Sequence, residues 1–269
     1  MDANVQSDFL KTAVDGGVVT VTIDRPQRKN AMTQAMWREM ARLFRAFADD
    51  DAVRAVVLRG AGGDFCAGAD IGEFETVRGS ADSARLYESE NSAAFAAVRD
   101  CPVPTIAAIG GICFGGGFGM AAACDIRIAA ADAVFSVPAA KLGLAYPVDA
   151  MADIVHAVGP QVARHMAYSA ARLDAAAALS AGFLLEVVER RVLERPHRAQ
   201  LRAGQRDTGR IPDCRLRRHQ GGPREEFSGR VGGRCRNRSG SGRGRGATGC
   251  ARRHEQQQDG GQPEQGSAV

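Results

Sequence analysis

Short β-branched or apolar runs, each closed by a glycine-rich turn, alternate with segments of helical period along the chain up to Glu189. Residues 17–24, Gly-Val-Val-Thr-Val-Thr-Ile-Asp, alternate as a strand does, and Arg25-Pro26 ends them. Thr33 then stands where a helix N-cap belongs. Met36, Trp37, Met40, Leu43, Phe44 and Phe47 follow at helical spacing, and Asp49-Asp50-Asp51 breaks the helix. Residues 53–58 predict a second strand, 72–100 a charged helical stretch, and 105–109 a buried strand. After it, 118–124 reads as an apolar helix, 125–129 and 133–137 as strands, and 150–158 and 161–169 as helices split by Gly159-Pro160. Strand and helix in this alternation predict an α/β fold with crossover helices.

The pattern does not continue past Glu189. Residues 1–189 hold 16 Lys+Arg and 23 Asp+Glu, whereas 190–269 hold 19 Arg, no Lys and 8 acids, so the charge reverses. Only 16 of the last 80 residues are apolar and Phe227 is the only aromatic, too little to offset the entropy of ordering. A boundary is therefore expected near Glu189, with a low-complexity basic tail beyond it. The overall 45% apolar content is enough for one core before that point. Seven Cys without paired spacing, with Cys66, Cys101, Cys113 and Cys124 in apolar or glycine-turn surroundings, suggest free thiols in a reducing compartment. No basic and apolar leader opens the chain, and no apolar run approaches the roughly 20 residues of a membrane span, so a soluble cytoplasmic protein is expected.

Candidate chemistry sits in the glycine turns. Gly115-Gly116-Gly117 lies between the strand 105–109 and the helix 118–124. Glycines let the backbone turn at positive φ and approach a ligand closely. The free N–H groups of a first helical turn can then face a phosphate or a developing oxyanion. No Lys follows the cluster, and Gly115-x-Gly117-x-Gly119 misses the dinucleotide spacing, so the two common phosphate cradles are disfavoured. A tight turn packed in a core remains the plain alternative. A second such turn, Phe65-Cys-Ala-Gly-Ala-Asp-Ile71, follows the apolar run 55–58 about fifty residues upstream.

Together the two turns resemble those of the enoyl-CoA hydratase/isomerase (crotonase) family over about 18–189, with Arg25-Pro26-x-x-x-Asn30-Ala31 and the ending 173–189 in support. The resemblance implies a crotonase-like ββα spiral that binds an acyl-CoA thioester, coenzyme A being part of the substrate and no cofactor being needed. It also implies lyase or isomerase chemistry of fatty acid metabolism, and a homotrimer or hexamer built by C-terminal helices that this sequence does not continue into. Matched position by position, the N–H groups of Ala69 and Gly116 become the oxyanion donors. Ala67, Gly68, Asp70 and Ile71 in the first turn and Gly115 and Gly117 in the second are expected to surround the substrate, and Arg28 to lie near the CoA phosphates. As a residue, Arg28 reads equally well as a solvated loop cation.

Hydration in this family relies on two glutamates, and this chain has Gly119 and Ala139 at their positions. Neither can move a proton, and a placed acid or base is typically worth ~10²–10⁴-fold, so ordinary hydratase activity is expected to be very weak. Asp149 is the substitute candidate for acid–base work, against a reading as N-cap of the helix from 150. Tyr146 can hydrogen-bond a thioester or be an ordinary core-edge aromatic. Asp70 reads as a structural residue bonding turn amides. Glu73 and Glu75 can swing inward, although a solvated face is the simpler reading. His156, His165, Cys66 and Cys113 read as helix or packing residues. A catalytically inactive acyl-CoA-binding protein is the alternative.

Three readings compete for 190–269. Ser239-Gly-Ser-Gly-Arg-Gly-Arg-Gly resembles an RGG segment and suggests nucleic-acid binding, which is not the favoured partner. Cys214, His219, Cys235, Cys250 and His254 fit no common zinc spacing, so no metal is expected. Arg without Lys, with abundant Gly, Pro, Cys and Gln, is what a GC-rich gene gives when read out of frame. A frame-disrupted C-terminus is therefore the favoured reading of the tail.

Overall fold

The structure, a computed structural model, describes residues 8–194. Everything expected of the tail from 195 onward lies outside the described residues, including the Arg/Gly segment and the Cys/His set. Six strands form the main sheet: β1 (Leu10–Asp15), β2 (Val18–Ile23), β3 (Ala55–Gly60), β4 (Thr105–Ile109), β6 (Ile126–Ala130) and β9 (Glu186–Val188), in the order β1-β2-β3-β4-β6-β9. Apart from the β1–β2 hairpin, neighbouring strands are parallel. A smaller sheet stacks β5 (Ile112–Phe114), β7 (Val134–Ser136) and β8 (Arg172–Asp174). The helices are α1 (Gln34–Ala48), α2 (Phe74–Val77), α3 (Ala81–Arg99), α4 (Gly116–Ala123), α5 (Val148–Ser169), α6 (Ala175–Ser180) and α7 (Arg190–Glu194).

Alternation along the strands divides two cores. Val19, Val21, Ile23, Val56, Leu58, Ala107 and Ile109 join the large cluster with α1, α3 and α4. Their neighbours Val18, Ala55, Val57, Ile106 and Ala108 face the other side, where Leu193 of α7 joins them. A period of two with both faces apolar is what a buried parallel sheet requires. Just beyond Glu189, Arg190 donates to the carbonyl of Gly63 at 2.9 Å and pairs with Asp132.

Local expectations are met where a single residue decides them. Thr33 caps α1 by accepting the N–H of Met36 at 3.3 Å. Gly159, at φ 76°, breaks the helical backbone inside α5 before Pro160. Asp149 is not a cap, because α5 begins at Val148 with Pro147 in the cap position, and Asp149 lies in the first turn. β1 is not legible in the apolar pattern, since only Leu10 of its six residues is buried.

Candidate functional site

Two loop–strand junctions are laced together at the carboxyl ends of the parallel strands. Leaving β3, the chain runs through 65–71 beside β5. Phe65 and Cys66 donate to the carbonyl of Ile112 at 3.1 and 3.0 Å, and Phe114 donates to that of Cys66 at 2.9 Å. On the other side Met32 donates to the carbonyl of Gly68 at 2.7 Å, and Asp70 donates to that of Met32 at 2.8 Å. The first turn is thereby clamped between the start of α1 and the glycine cluster.

The glycine cluster reflects crowding and backbone shape together. Gly115 has φ 51°, a left-handed conformation that suits glycine. A Cβ on Gly116 would lie 3.0 Å from the Trp37 ring, and one on Gly117 would lie 2.8 Å from Cys66 Cβ. The two turns touch: a Cβ on Gly68 would lie 3.1 Å from the Gly116 nitrogen, and one on Gly116 would lie 3.7 Å from the Ala69 nitrogen. Gly116 is the first residue of α4, so its N–H has no partner within the helix. Among the described residues, no carbonyl or side chain accepts from the N–H of Ala69 or of Gly116.

Both residues line one cleft of about 120 Å³. Ala67, Gly68, Ile71, Gly115 and Tyr146 line it too, whereas Arg28, Asp70 and Gly117 are not among its lining residues. Arg28 is exposed on the turn before α1. Asp70 is structural: it accepts from Arg25 Nη1 at 2.6 Å and from the N–H of Gly72 at 3.0 Å. Burial pushes its pKa up, but the Arg25 and Gly72 hydrogen bonds outweigh that, and the carboxyl titrates below its ordinary value. Gly117 acts behind the cleft, where it allows the close approach to Cys66.

Asp149 lines a larger adjoining cleft of about 690 Å³, together with Ser92, and Ser92 Oγ donates to its carboxylate at 3.2 Å. Tyr146, Pro147, Ala145 and Glu88 line both clefts. Tyr146 donates its hydroxyl to the carbonyl of Gly115 at 2.6 Å. Burial raises the phenol pKa far above its usual value and keeps it a proton donor. The Gly119 position is filled as well, since a Cβ there would lie 3.0 Å from the Tyr146 oxygen and 3.2 Å from Phe95 Cζ. Burial lifts the thiol of Cys66 to about 12 and that of Cys113 well above its ordinary value, which suits packing residues.

Several cleft residues escaped the sequence reading. Tyr87 and Asn91, one turn apart on α3, line the cleft, and Phe95 follows one turn later. Tyr87 accepts from Trp37 Nε1 at 3.1 Å, tying α3 to α1 beneath Gly116. The Asn91 side chain is buried, and no described group hydrogen-bonds it. Glu88, paired with Arg78 at 2.8 Å, stands on the cleft in place of Glu73. Glu73 instead accepts from the N–H of Gln34 at 3.1 Å, and burial raises its pKa. The spacing 87, 91, 95 was the available signal, masked by the charged residues between. No group of His, Cys, Asp and Glu suited to a metal ion occurs among the described residues. No helix among them is long and apolar enough to cross a membrane.

The sequence model described as "Enoyl-CoA hydratase/isomerase" matches residues 13–206. The mouse mitochondrial Delta(3,5)-Delta(2,4)-dienoyl-CoA isomerase is 34% identical over 198 residues, covering 70% of this chain but only 60% of the mouse protein. A probable enoyl-CoA hydratase of Mycobacterium tuberculosis is 39% identical over 185 residues, covering 68% of this chain and 71% of its own length. Among solved structures, an enoyl-CoA hydratase/carnithine racemase from Magnetospirillum magneticum superposes with a TM-score of 0.69 at 36% identity, covering 74% of this chain and 73% of that one. Pseudomonas aeruginosa AtuE gives 0.67, also at 36% identity, covering 70% and 73%.

Proposed function

This chain belongs to the enoyl-CoA hydratase/isomerase family and has its crotonase-like fold, and from that premise we propose that it binds an acyl-CoA thioester with the carbonyl oxygen between the N–H groups of Ala69 and Gly116. The observation that carries this reading is the pair of unaccepted N–H groups on one cleft, contributed by two turns that touch each other. Two such donors stabilise the negative charge that reaches the oxygen when a thioester becomes an enolate. Apolar walls from Ile71, Phe74, Leu142 and Leu144 suit an acyl chain. The chemistry is lyase- or isomerase-like, on substrates of the fatty acid type.

The same cleft argues against rapid hydration. Gly119 and Ala139 carry no proton-transfer group, and Tyr146 and Phe95 take up the room beside Gly119. Loss of placed acid–base groups costs ~10²–10⁴-fold each. Asp149, in the first turn of α5, is the remaining acid–base candidate, and its position on the adjoining cleft favours the second reading, acyl-CoA binding without turnover. A joint assay separates the two: calorimetric binding of butyryl-CoA, and turnover of crotonyl-CoA and a 3,5-dienoyl-CoA. Binding with dienoyl turnover supports an isomerase, and binding alone supports the binding protein. Crotonyl-CoA hydration at an ordinary hydratase rate contradicts both.

A further inference from the structure

We propose that Tyr146 is a positioning residue that holds and polarises the peptide whose N–H, that of Gly116, faces the thioester. This inference rests on the oxyanion reading above. The Gly115 carbonyl and the Gly116 N–H belong to one peptide unit. That unit is planar and trans, so its oxygen and its N–H point in opposite directions. Whatever fixes the oxygen on one side fixes the N–H on the other.

This peptide lies between two glycines, where the barrier to turning the unit over is lowest, and Gly115 sits at φ 51° and ψ −121°. Turned over, it would present a carbonyl oxygen to the substrate oxygen and convert attraction into repulsion. Two donors hold it. The N–H of Gly119 reaches the Gly115 oxygen at 3.0 Å, as the helix dictates, and the Tyr146 hydroxyl reaches it at 2.6 Å. The partner peptide is held in the equivalent place, because the Gly68 carbonyl, at the far end of the Ala69 N–H, accepts from Met32 at 2.7 Å. The Gly68 oxygen has beside it only a long contact from the Cys66 thiol at 3.9 Å, whereas the Gly115 oxygen has a close hydroxyl from a distant loop at 2.6 Å. A strong bond to the carbonyl draws electron density from the amide and makes its N–H a better donor.

The position of Tyr146 also fits this role. Its ring packs against the core and its loop lines both clefts. Its one proton goes to Gly115, so it acts on the substrate through the peptide.

The test uses the full chain with butyryl-CoA carrying ¹³C at the thioester carbonyl, read by infrared difference spectroscopy. Wild-type protein is expected to lower the carbonyl stretching frequency on binding. Tyr146→Phe is expected to lose half or more of that shift while affinity falls by no more than about tenfold, the range of one neutral hydrogen bond. Replacement of Tyr146 by 3,5-difluorotyrosine keeps a more acidic donor and is expected to keep or enlarge the shift, which secures the test should the Phe variant fold poorly. Equal shifts in wild type and Tyr146→Phe, or a reduced shift in the fluorinated protein, would overturn the role of Tyr146 and leave the oxyanion pair standing. A bound carbonyl left unshifted in wild type would overturn the oxyanion pair and this inference with it.

Discussion

The Tyr146 hydroxyl lies 3.0 Å from where a Cβ of residue 119 would sit, so a tyrosine oxygen takes up the space beside the glycine. Gly119→Glu is therefore not a simple restoration of a missing acid. The new side chain must displace Tyr146 or Phe95. Overpacking of this kind costs about 1–3 kcal/mol, and displacement of Tyr146 would release its hold on Gly115 as well. We expect a lower melting temperature and no gain in crotonyl-CoA hydration, checked by calorimetry and by loss of enoyl absorbance.

Asp149 is held by Ser92 on the adjoining cleft, separated from the unaccepted N–H groups by the wall that Tyr146 and Pro147 share. Asp149→Asn is expected to leave butyryl-CoA affinity unchanged and any dienoyl-CoA turnover intact. Turnover that vanishes with affinity preserved would make Asp149 the base.

Much of this arrangement was legible because single residues dictate it. Thr33 announces a cap and Gly159-Pro160 a break, while the meeting of the two glycine turns was implied by the family resemblance. What was not legible depends on which loop reaches across. Nothing local tells that Tyr146 turns back thirty-one residues to Gly115, or that Asp149 falls on the neighbouring side of that tyrosine. The cleft face of α3 was obscured for another reason: Tyr87, Asn91 and Phe95 share one face, but the acidic residues among them give the segment a solvated look.

Two carboxylates near the first turn should shape acid stability in opposite ways. The folded-state pKa of Asp70 is lowered, despite burial, by Arg25 and the Gly72 amide. Its contribution is therefore complete above the ordinary carboxylate pKa of about 3.9 and is lost as pH falls through the lower folded value. Glu73 is raised, chiefly by burial, so its ionisation costs stability above its folded pKa, and that cost disappears as pH falls. Asp70→Asn is expected to lose on the order of 1–2 kcal/mol at neutral pH, as for a charge-assisted hydrogen bond, and to show a shallower acid limb. Glu73→Gln is expected to gain stability at neutral pH and none at low pH. Urea unfolding from pH 3 to 7 checks both signs.

Asn91 presents its amide to the cleft with no hydrogen-bond partner among the described residues. Burying a saturated acyl chain against it leaves that amide unpaired, at roughly 1–3 kcal/mol. Asn91→Leu is expected to tighten butyryl- and hexanoyl-CoA binding about tenfold, the low end of that range. Unchanged or weaker binding would mean that the amide is not against the chain.

Gly116 carries the proposal with the least room for compensation, because its added methyl would meet the Trp37 ring at 3.0 Å and displace the N–H that faces the cleft. The measurement to make is a calorimetric titration of butyryl-CoA into wild-type protein and Gly116→Ala, with free coenzyme A as the reference ligand. Wild type should bind butyryl-CoA, and Gly116→Ala should bind it at least about tenfold more weakly with little change for free coenzyme A, as expected when a carbonyl loses one well-placed donor. Equal butyryl-CoA affinity in the two proteins, or none in wild type, would contradict a thioester carbonyl held between Ala69 and Gly116.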